Sequence, residues 1–525
     1  MKDLEEKYAK ISAAYLKCKE KYKKEKIDVC CQWLVENMYR VTEDYKHILK
    51  NTGSIKSQGM YTQITSLAKL CPKICKRLDY TYRKAAKKTK LEQEIESIFK
   101  ALDIIEMQLC EQEYIPKTSK TYTERKPKDI EESLKSKYLK YAKEAYKYFA
   151  DTVNEESNFL PVDYIDMSKR KANRVNYKTS PTNICFGILS IISAEDLKYI
   201  SKKQAKSLLE KMLASIDKLP KCGGLLYNWY DTRTLKNTSD YVSSVDLGNY
   251  LAALYILKGY IKDLDILDKL IRQVDFSKLY CKEKRGIYIS YNAKEKVFLH
   301  NVYDRFLSES RTALLLAIGN MQIDESSFYV LKREEKDGAL LSWTGTAFEY
   351  FLPNIFWKTY EGSILDKSII YAYNQQKQYM KENALEAFGI SACAYPKKNK
   401  YNEYLYKEFG IPNLRLRIDK YEDYVVTPHA SILACSINPK EVMDNLEVLE
   451  TLNMRGKYGL LDSIDLDKRT KNANGTYKVA KIYFTHNLGM IISSINNLLN
   501  KDILKTRMYT NDAVKKADKL LKTDI

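Results

Sequence analysis

Histidine is scarce in this chain, four among 525 residues and none beside another, which argues against a histidine-rich metal centre. No stretch approaches the roughly 18 uninterrupted apolar residues that a membrane span needs. The opening Met-Lys-Asp-Leu-Glu-Glu-Lys has neither the apolar core nor the cleavage site of a secretory signal, so a cytoplasmic protein is expected. The eleven cysteines are odd in number, scattered apart from Cys30–Cys31 and the Cys71/Cys75 pair, and never spaced C-x-x-C. A zinc ribbon or a thioredoxin-like site is therefore not indicated, and reduced, mostly buried thiols are the simplest reading. No internal repeat and no low-complexity tract is found. Neither a cofactor nor a metal is expected.

What is abundant is lysine, with tyrosine, isoleucine and asparagine, and the formal net charge is +20. A charge of that sign fits a polyanionic partner. Most lysines, however, alternate with Glu or Asp, as at 17–26 and 198–218, which describes solvated helix faces. One dense basic patch, Arg83, Lys84, Lys87, Lys88 and Lys90, stands out, but no nucleic-acid module accompanies it. Nucleic acid is accordingly the disfavoured partner.

Residues 1–125 read as a helical N-terminal segment. Trp33, Leu34, Met38 and Val41 share one face, and Ile95, Ile98, Phe99, Leu102, Ile105 and Leu109 recur at three- and four-residue spacing. A linker is expected at 115–128, which holds Pro116 and Pro127. Beyond it, helical stretches at 138–149, 203–219, 247–260, 308–319 and 486–499 alternate with longer segments rich in Gly, Asn, Asp, Trp and Tyr. Short alternating runs at 286–291 and 296–300 predict a small β-hairpin. The expectation is an all-α protein of paired helices whose loops build a groove at one end, since loops on a rigid scaffold are where binding and catalysis tend to sit. Periodicity alone does not separate a toroid from a solenoid.

Several loops carry chemistry. The segment 223–249, GGLLYNWYDTRTLKNTSDYVSSVDLGN, packs Tyr227, Trp229, Tyr230 and Tyr241 among Asp231, Arg233, Asp246 and Asn249. Flat aromatic faces suit the C–H side of a pyranose, and carboxylates, amides and guanidinium suit its hydroxyls. Asp246 also stands where an N-cap is favoured, so cap and substrate ligand are both open. Glu309, in Ser308-Glu309-Ser310-Arg311, is either a first-turn residue stabilised by the helix dipole or a general acid. Glu349 lies in the apolar run LSWTGTAFEYFLPNIFW beside Trp343, where a carboxylate must be paired or protonated. It is either a hydrogen-bond anchor or a tuned acid, the anchor being favoured. Asp462, Asp465, His486 and Asn487 complete the set, and a lone histidine at a helix start is more often structural.

The ordered motifs TSPTNI at 179–184, LYNWYDTRTL at 226–235, YVSSVD at 241–246, SESR at 308–311 and LLSWTGTAFEYFLP at 340–353 resemble the glucoamylase-like domain of cyclic β-1,2-glucan synthases. Phe388-Gly389-Ile390-Ser391, Phe409-Gly410-Ile411-Pro412, Tyr458-Gly459 and 486–490 follow in the same order, over roughly residues 130–500. QWLVENMYRVTED at 32–44 is similar to the helical segment before that domain. The resemblance implies an (α/α)6 toroid at 126–525 that acts on β-1,2-glucan chains, with an oligo- or polysaccharide as partner. In the synthases this domain is similar to a retaining glycosidase that cyclises the glucan by transglycosylation. Their glycosyltransferase, membrane and phosphorylase-like parts have no counterpart here, so polymerisation from a nucleotide sugar is not expected.

Glycoside cleavage ordinarily uses two carboxyls, about 5–5.5 Å apart when one is a nucleophile and about 6.5–9.5 Å apart when water attacks. The family's acid/base glutamate matches Glu309. Its nucleophile, in a G-I-S-E-S-A-Y motif, matches Gly389-Ile390-Ser391-Ala392-Cys393-Ala394-Tyr395, so Ala392 stands where a glutamate is expected. His429 likewise stands for Tyr, and Asp462 for Glu. Three readings follow: an inverting hydrolase with Glu309 as acid and Asp246, Asp231 or Asp462 activating water, as in the related inverting endo-β-1,2-glucanases; a glucan-binding pseudoenzyme; or, least favoured, Cys393 as nucleophile. Tyr227, Trp229, Tyr230, Trp343 and Phe388 are expected to line subsites, and Arg233 and Asn249 to bind hydroxyls, with Asp231, Glu349 and His486 as further substrate contacts.

Overall fold

The computed structural model describes residues 2–24, 34, 41, 45, 48–49, 55–76, 121–127, 129–168, 174–261, 264–417 and 424–522. The basic patch at 83–90, the apolar stripe at 95–109, and Trp33 and Met38 lie outside the described residues. The chain divides into two compact units. One comprises Met1–Pro116 with Lys282–Lys284 and Leu416–Glu422, and the other Lys117–Cys281, Arg285–Arg415 and Asp423–Ile525. In the first, helices Lys2–Lys24 and Ile55–Lys76 pack together. Leu4, Ile11, Ala14 and Cys18 meet Ile64, Leu67, Cys71 and Ile74 in a core of their own.

In the larger unit the helices fall into two kinds, and the difference is written in their side chains. Pro181–Asp196, Ser244–Tyr260, Arg311–Gly319 and Thr485–Leu499 are apolar around most of their circumference and buried along nearly their whole length. Such helices belong inside. Lys202–Lys218 instead buries Ala205, Leu209, Met212, Leu213 and Ile216 at three- and four-residue spacing and turns its lysines to solvent. Ile364–Glu382 and Pro439–Thr451 have one-sided stripes of the same kind. Local signals fix the starts: Ser180 caps Pro181–Asp196 with Pro181 at its first position, and Ser201 and Gln204 form a capping box. Pro181–Asp196 packs between Ser244–Tyr260 and Thr485–Leu499, Ser244–Tyr260 also contacts Arg311–Gly319, and Pro428–Leu433 joins Ala347–Phe351 to Thr485–Leu499.

The predicted hairpin is present as Gly286–Asn292 paired with Val297–Val302, and Tyr241–Ser243 extends it. The all-α expectation needs correcting for several further small sheets. Tyr164–Asp166 lies between Arg174–Asn176 and Ile482–Phe484, Ser463–Asp465 between Val425–Val426 and Lys478–Ala480, and Cys393–Lys398 pairs with Tyr404–Lys407. Most of these strands have two or three residues, too few for an alternation to show in sequence. Several run straight into a buried helix: Tyr241–Ser243 into Ser244–Tyr260, and Ile482–Phe484 into Thr485–Leu499. Each strand pins the residue that opens the helix after it.

Gly248 is what lets two of these helices approach. A β-carbon there would sit 2.7 Å from Ala313 Cβ and 2.8 Å from its backbone nitrogen. Backbone cannot yield as a flexible side chain does, so Gly248→Ala is expected to destabilise the fold by about 1–3 kcal/mol. The measurement is the urea midpoint of the variant against the parent chain; an unchanged midpoint would show that the helices tolerate separation.

Candidate active site

Glu309 lies in the turn before Arg311–Gly319, two residues ahead of the helix rather than in its first turn. The turn is tied by its serines: Ser308 Oγ accepts from the Ser310 amide at 3.2 Å, and Ser308 O accepts from the Arg311 amide at 3.3 Å. The carboxyl is half-buried, and a single long bond, 3.4 Å from the Tyr303 hydroxyl, reaches its Oε1. Burial first, then the like charges of Glu349, Glu408 and Asp246, push its pKa from 4.5 up to about 8, against a small opposing pull from Tyr303. At neutral pH this carboxyl keeps its proton.

Asp246 stands one turn into Ser244–Tyr260, and Ser243, not the aspartate, is the N-cap. The cap reading is thus corrected. Burial raises the Asp246 pKa, and the nearby hydroxyls of Ser243, Thr182 and Ser180 with the Thr182 amide offset part of that shift. Asn249 is buried and donates to Thr182 Oγ1 at 3.2 Å, so it props that threonine instead of offering an amide to ligand.

Glu349 completes a capping box with Thr346 at the start of Ala347–Phe351. Its oxygens receive the Ser342 hydroxyl at 2.8 Å, the Thr344 amide at 3.1 Å, the Thr346 amide at 3.3 Å and the Thr344 hydroxyl. This is the hydrogen-bond anchor: Oε2 carries nearly all of these bonds, and Oε1 accepts only from the Thr344 amide, at 3.2 Å. Trp343 is half-buried on the same loop.

A second polar group surrounds Ala392, which is 9% exposed and whose carbonyl accepts from the Tyr406 hydroxyl at 3.0 Å. His486 Nε2 lies 2.9 Å from that hydroxyl, and burial lowers the histidine's pKa to about 4, keeping it neutral. Asp462 is a strut, taking the Ala394 amide at 2.8 Å and the Asn487 amide group at 2.7 Å, and burial raises its pKa to about 6. Cys393 is fully buried, which removes the thiol nucleophile from consideration.

In the aromatic loop the residues part company. Tyr227 and Trp229 are half-buried, whereas Tyr230 is fully buried, its hydroxyl donating to Pro220 O at 2.8 Å. Asp231 accepts the amides of Arg233 and Thr234 at 2.9 and 3.0 Å, and Arg233 lies over the Tyr177 ring. The pair braces its own turn, and the backbone and guanidinium contacts hold the Asp231 pKa low despite some burial. Phe388 is buried edge-on against Tyr373, with its backbone clasped by Asn445. Tyr230, Asn249 and Phe388 therefore lack the open faces that sugar contact needs. Sequence reasoning missed Tyr303 and Glu408 beside Glu309, and Tyr406 beside Ala392. Tyr303 sits in VYDRF just ahead of SESR, the one local hint. Among the described residues no cluster of His, Cys, Asp and Glu is arranged to hold a metal, and no helix is long and apolar enough to cross a membrane.

Comparison with known proteins agrees with this architecture. A family model named Glycoamylase matches residues 327–512, and one for a protein family of unknown function, DUF3131, matches 140–301. The cyclic β-(1,2)-glucan synthase NdvB of Rhizobium meliloti (strain 1021) is 24% identical over 530 residues, covering 75% of this chain. The match takes in only 19% of that synthase's length. Among solved structures, the endo-β-1,2-glucanase of Chitinophaga pinensis superposes with a TM-score of 0.59 at 14% identity, over 76% of this chain and 99% of that one. The endo-β-1,2-glucanase of Talaromyces funiculosus gives 0.55 at 11% identity, over 74% and 88%. The chain thus carries a glucoamylase-like region, similar in sequence to a cyclic β-(1,2)-glucan synthase and in fold to endo-β-1,2-glucanases.

Proposed function

We propose that this chain acts on β-1,2-glucan as a hydrolase-type enzyme in which Glu309 is the general acid. The six buried helices Pro181–Asp196, Ser244–Tyr260, Arg311–Gly319, Ala347–Phe351, Pro428–Leu433 and Thr485–Leu499 form, in this reading, the inner ring of an (α/α)6 toroid. Their starts bear Thr182, Asp246, Glu309, Glu349, His429 and His486, so a groove at that end faces a ring of polar groups. The observation that carries the proposal is the setting of Glu309, half-buried at the turn before Arg311–Gly319 with one long bond from Tyr303, where burial and neighbouring carboxylates favour the protonated form a general acid needs. Protonating the glycosidic oxygen then lets the leaving sugar depart neutral. With Ala392 in place of a nucleophile, water is the attacking group and the outcome is inversion. Asp246, the neighbouring carboxylate, is the leading base or substrate ligand. Tyr227, Trp229 and Trp343 present half-open rings for pyranose faces. A second reading, a glucan-binding protein without turnover, is favoured by the hydroxyls of Ser243, Thr182 and Ser180 that already engage Asp246.

Linear β-1,2-glucan separates the two. Shortened chains that disappear in Glu309→Gln, with a loss of about 10²–10⁴-fold in kcat, are expected for the enzyme. Intact glucan together with a calorimetric binding signal would leave the binder.

The pH dependence has a definite sign. Because the acid form is the active one, activity is expected to fall about tenfold per unit as pH rises beyond about 8. A profile flat to pH 10 would remove Glu309 from the acid's role.

Stability moves with the same proton. The folded pKa of about 8 exceeds the ordinary 4.5, so the folded state binds the extra proton. Stability is greatest below the ordinary value and is lost as pH rises towards about 8. Glu309→Gln removes that loss, and its melting temperature is expected to exceed the parent's at pH 8.5 and to match it near pH 4.5. Equal melting curves at both pH values would mean that the carboxyl is not strained towards its neutral form.

A further inference from the structure

Glu309 in the acid's role calls for a second carboxyl, and the hairpin beside Ala392 supplies one. Cys393–Lys398 pairs antiparallel with Tyr404–Lys407, setting Cys393 opposite Lys407 and Ala394 opposite Tyr406. One step further in the same register, Ala392 meets Glu408. Residues directly opposed in an antiparallel pair share a face, their β-carbons about 4.5–5.5 Å apart. Position 392 itself carries only a methyl group, so the carboxyl on that face comes from position 408.

The alternation of side chains along the second strand agrees. Lys407 Nζ stands 4.1 Å from the Tyr395 ring centroid, and the Phe409 ring lies 6.2 Å from the same tyrosine, so 407 and 409 share one face. Tyr406 takes the other, its hydroxyl donating to Ala392 O and lying 2.9 Å from His486 Nε2 in the first turn of Thr485–Leu499. Glu408, two residues on, returns to the face of Tyr406. After burial, the charges that raise the proton affinity of Glu309 are those of Glu349, Glu408 and Asp246. Glu349 is tied down by Ser342, Thr344 and Thr346, and Asp246 stands among the hydroxyls of Ser243, Thr182 and Ser180. Of the three, Glu408 alone is exposed. A group that takes a proton from water has to meet water.

We propose that Glu408 is the general base that activates the attacking water, across the scissile bond from Glu309. This assignment rests on the hydrolytic reading above and completes it. Glu408 accepts one proton of a water molecule whose oxygen bonds to the anomeric carbon. The glycosidic C–O bond breaks, and its electron pair stays with the leaving oxygen, which takes the proton of Glu309. Exchange with solvent then removes the proton from Glu408 and restores one to Glu309. Inversion calls for about 6.5–9.5 Å between the two carboxyls, the room one water needs. Asp246 keeps the role of substrate ligand.

The test compares the parent chain with Glu309→Gln, Glu408→Gln, Glu408→Ala and Asp246→Asn on linear β-1,2-glucan. Glu408→Gln is expected to lower kcat about 10²–10⁴-fold with KM within about threefold, as for a group that acts in the transition state. Asp246→Asn is expected to raise KM instead. In Glu408→Ala, sodium azide is expected to restore turnover by bonding to the anomeric carbon itself, with no proton to remove, so that a glucosyl azide of inverted configuration accumulates. A strut would give no such product. Both Glu408 variants are expected to melt with the parent, since the position is exposed. A Glu408→Gln variant with kcat within about threefold of the parent overturns the assignment, as does a loss in Glu408→Ala that azide does not relieve. In either case Glu309→Gln still decides the acid separately. Glucan left intact by the parent overturns the hydrolytic reading and this one with it.

Discussion

Carboxyl groups crowded into a medium of low dielectric cannot all ionise, and the proton stays where hydrogen-bond donors are fewest. That constraint orders the candidate site. Glu349 has the donors of Ser342, Thr344 and Thr346, and Asp246 has those of Ser243, Thr182 and Ser180. Glu309 has one phenol at the limit of hydrogen-bond reach. Differences in solvation by the protein, more than proximity alone, make one of three similar groups the proton carrier. In the proposed function the polar residues that look structural share in the chemistry, since they stabilise charge on their own carboxylates and leave Glu309 to serve as the acid. Systems of this kind tend to trade stability for function.

Placement follows from a repeated joint, a short strand leading into a buried helix. Helix starts expose unpaired amides that favour polar caps. Ser180, Ser243 and Thr346 fill that role, and the reactive or supporting side chains stand within a few residues of them. The helices are held close enough for carboxyls on separate segments to sense each other by contacts such as Gly248 on Ala313. Rigid elements, not flexible loops, carry the geometry, which suits a site that depends on fine electrostatic balance.

Much of this was legible in the chain. The long buried and amphipathic helices show in their periodicity, and the hairpin at 286–302 in its alternation. Glu309 and Glu349 stand out as carboxyls beside apolar runs. What was not legible is equally instructive. Strands of two or three residues leave no pattern. Tyr230, Asn249 and Phe388 carry the residue types of a sugar site, yet their burial depends on partners far along the chain, such as Asn445 for Phe388. Asp231 and Arg233 have the right chemistry, but their charges are spent on one another and on the turn between them. Tyr303 and Glu408 reach Glu309 only through the fold. Composition names candidates; three-dimensional pairing decides which remain free to act.

The contact of Thr485–Leu499 with Pro181–Asp196 also bears on how the protein is made. Thr485 bonds the Tyr148 hydroxyl and Val162 O, partners more than 300 residues earlier in synthesis. At roughly 5–20 residues per second, translation leaves that apolar surface without its cover for tens of seconds. The nascent chain is therefore exposed to aggregation throughout that interval, and holdase chaperones have most to offer before the last buried helix leaves the ribosome.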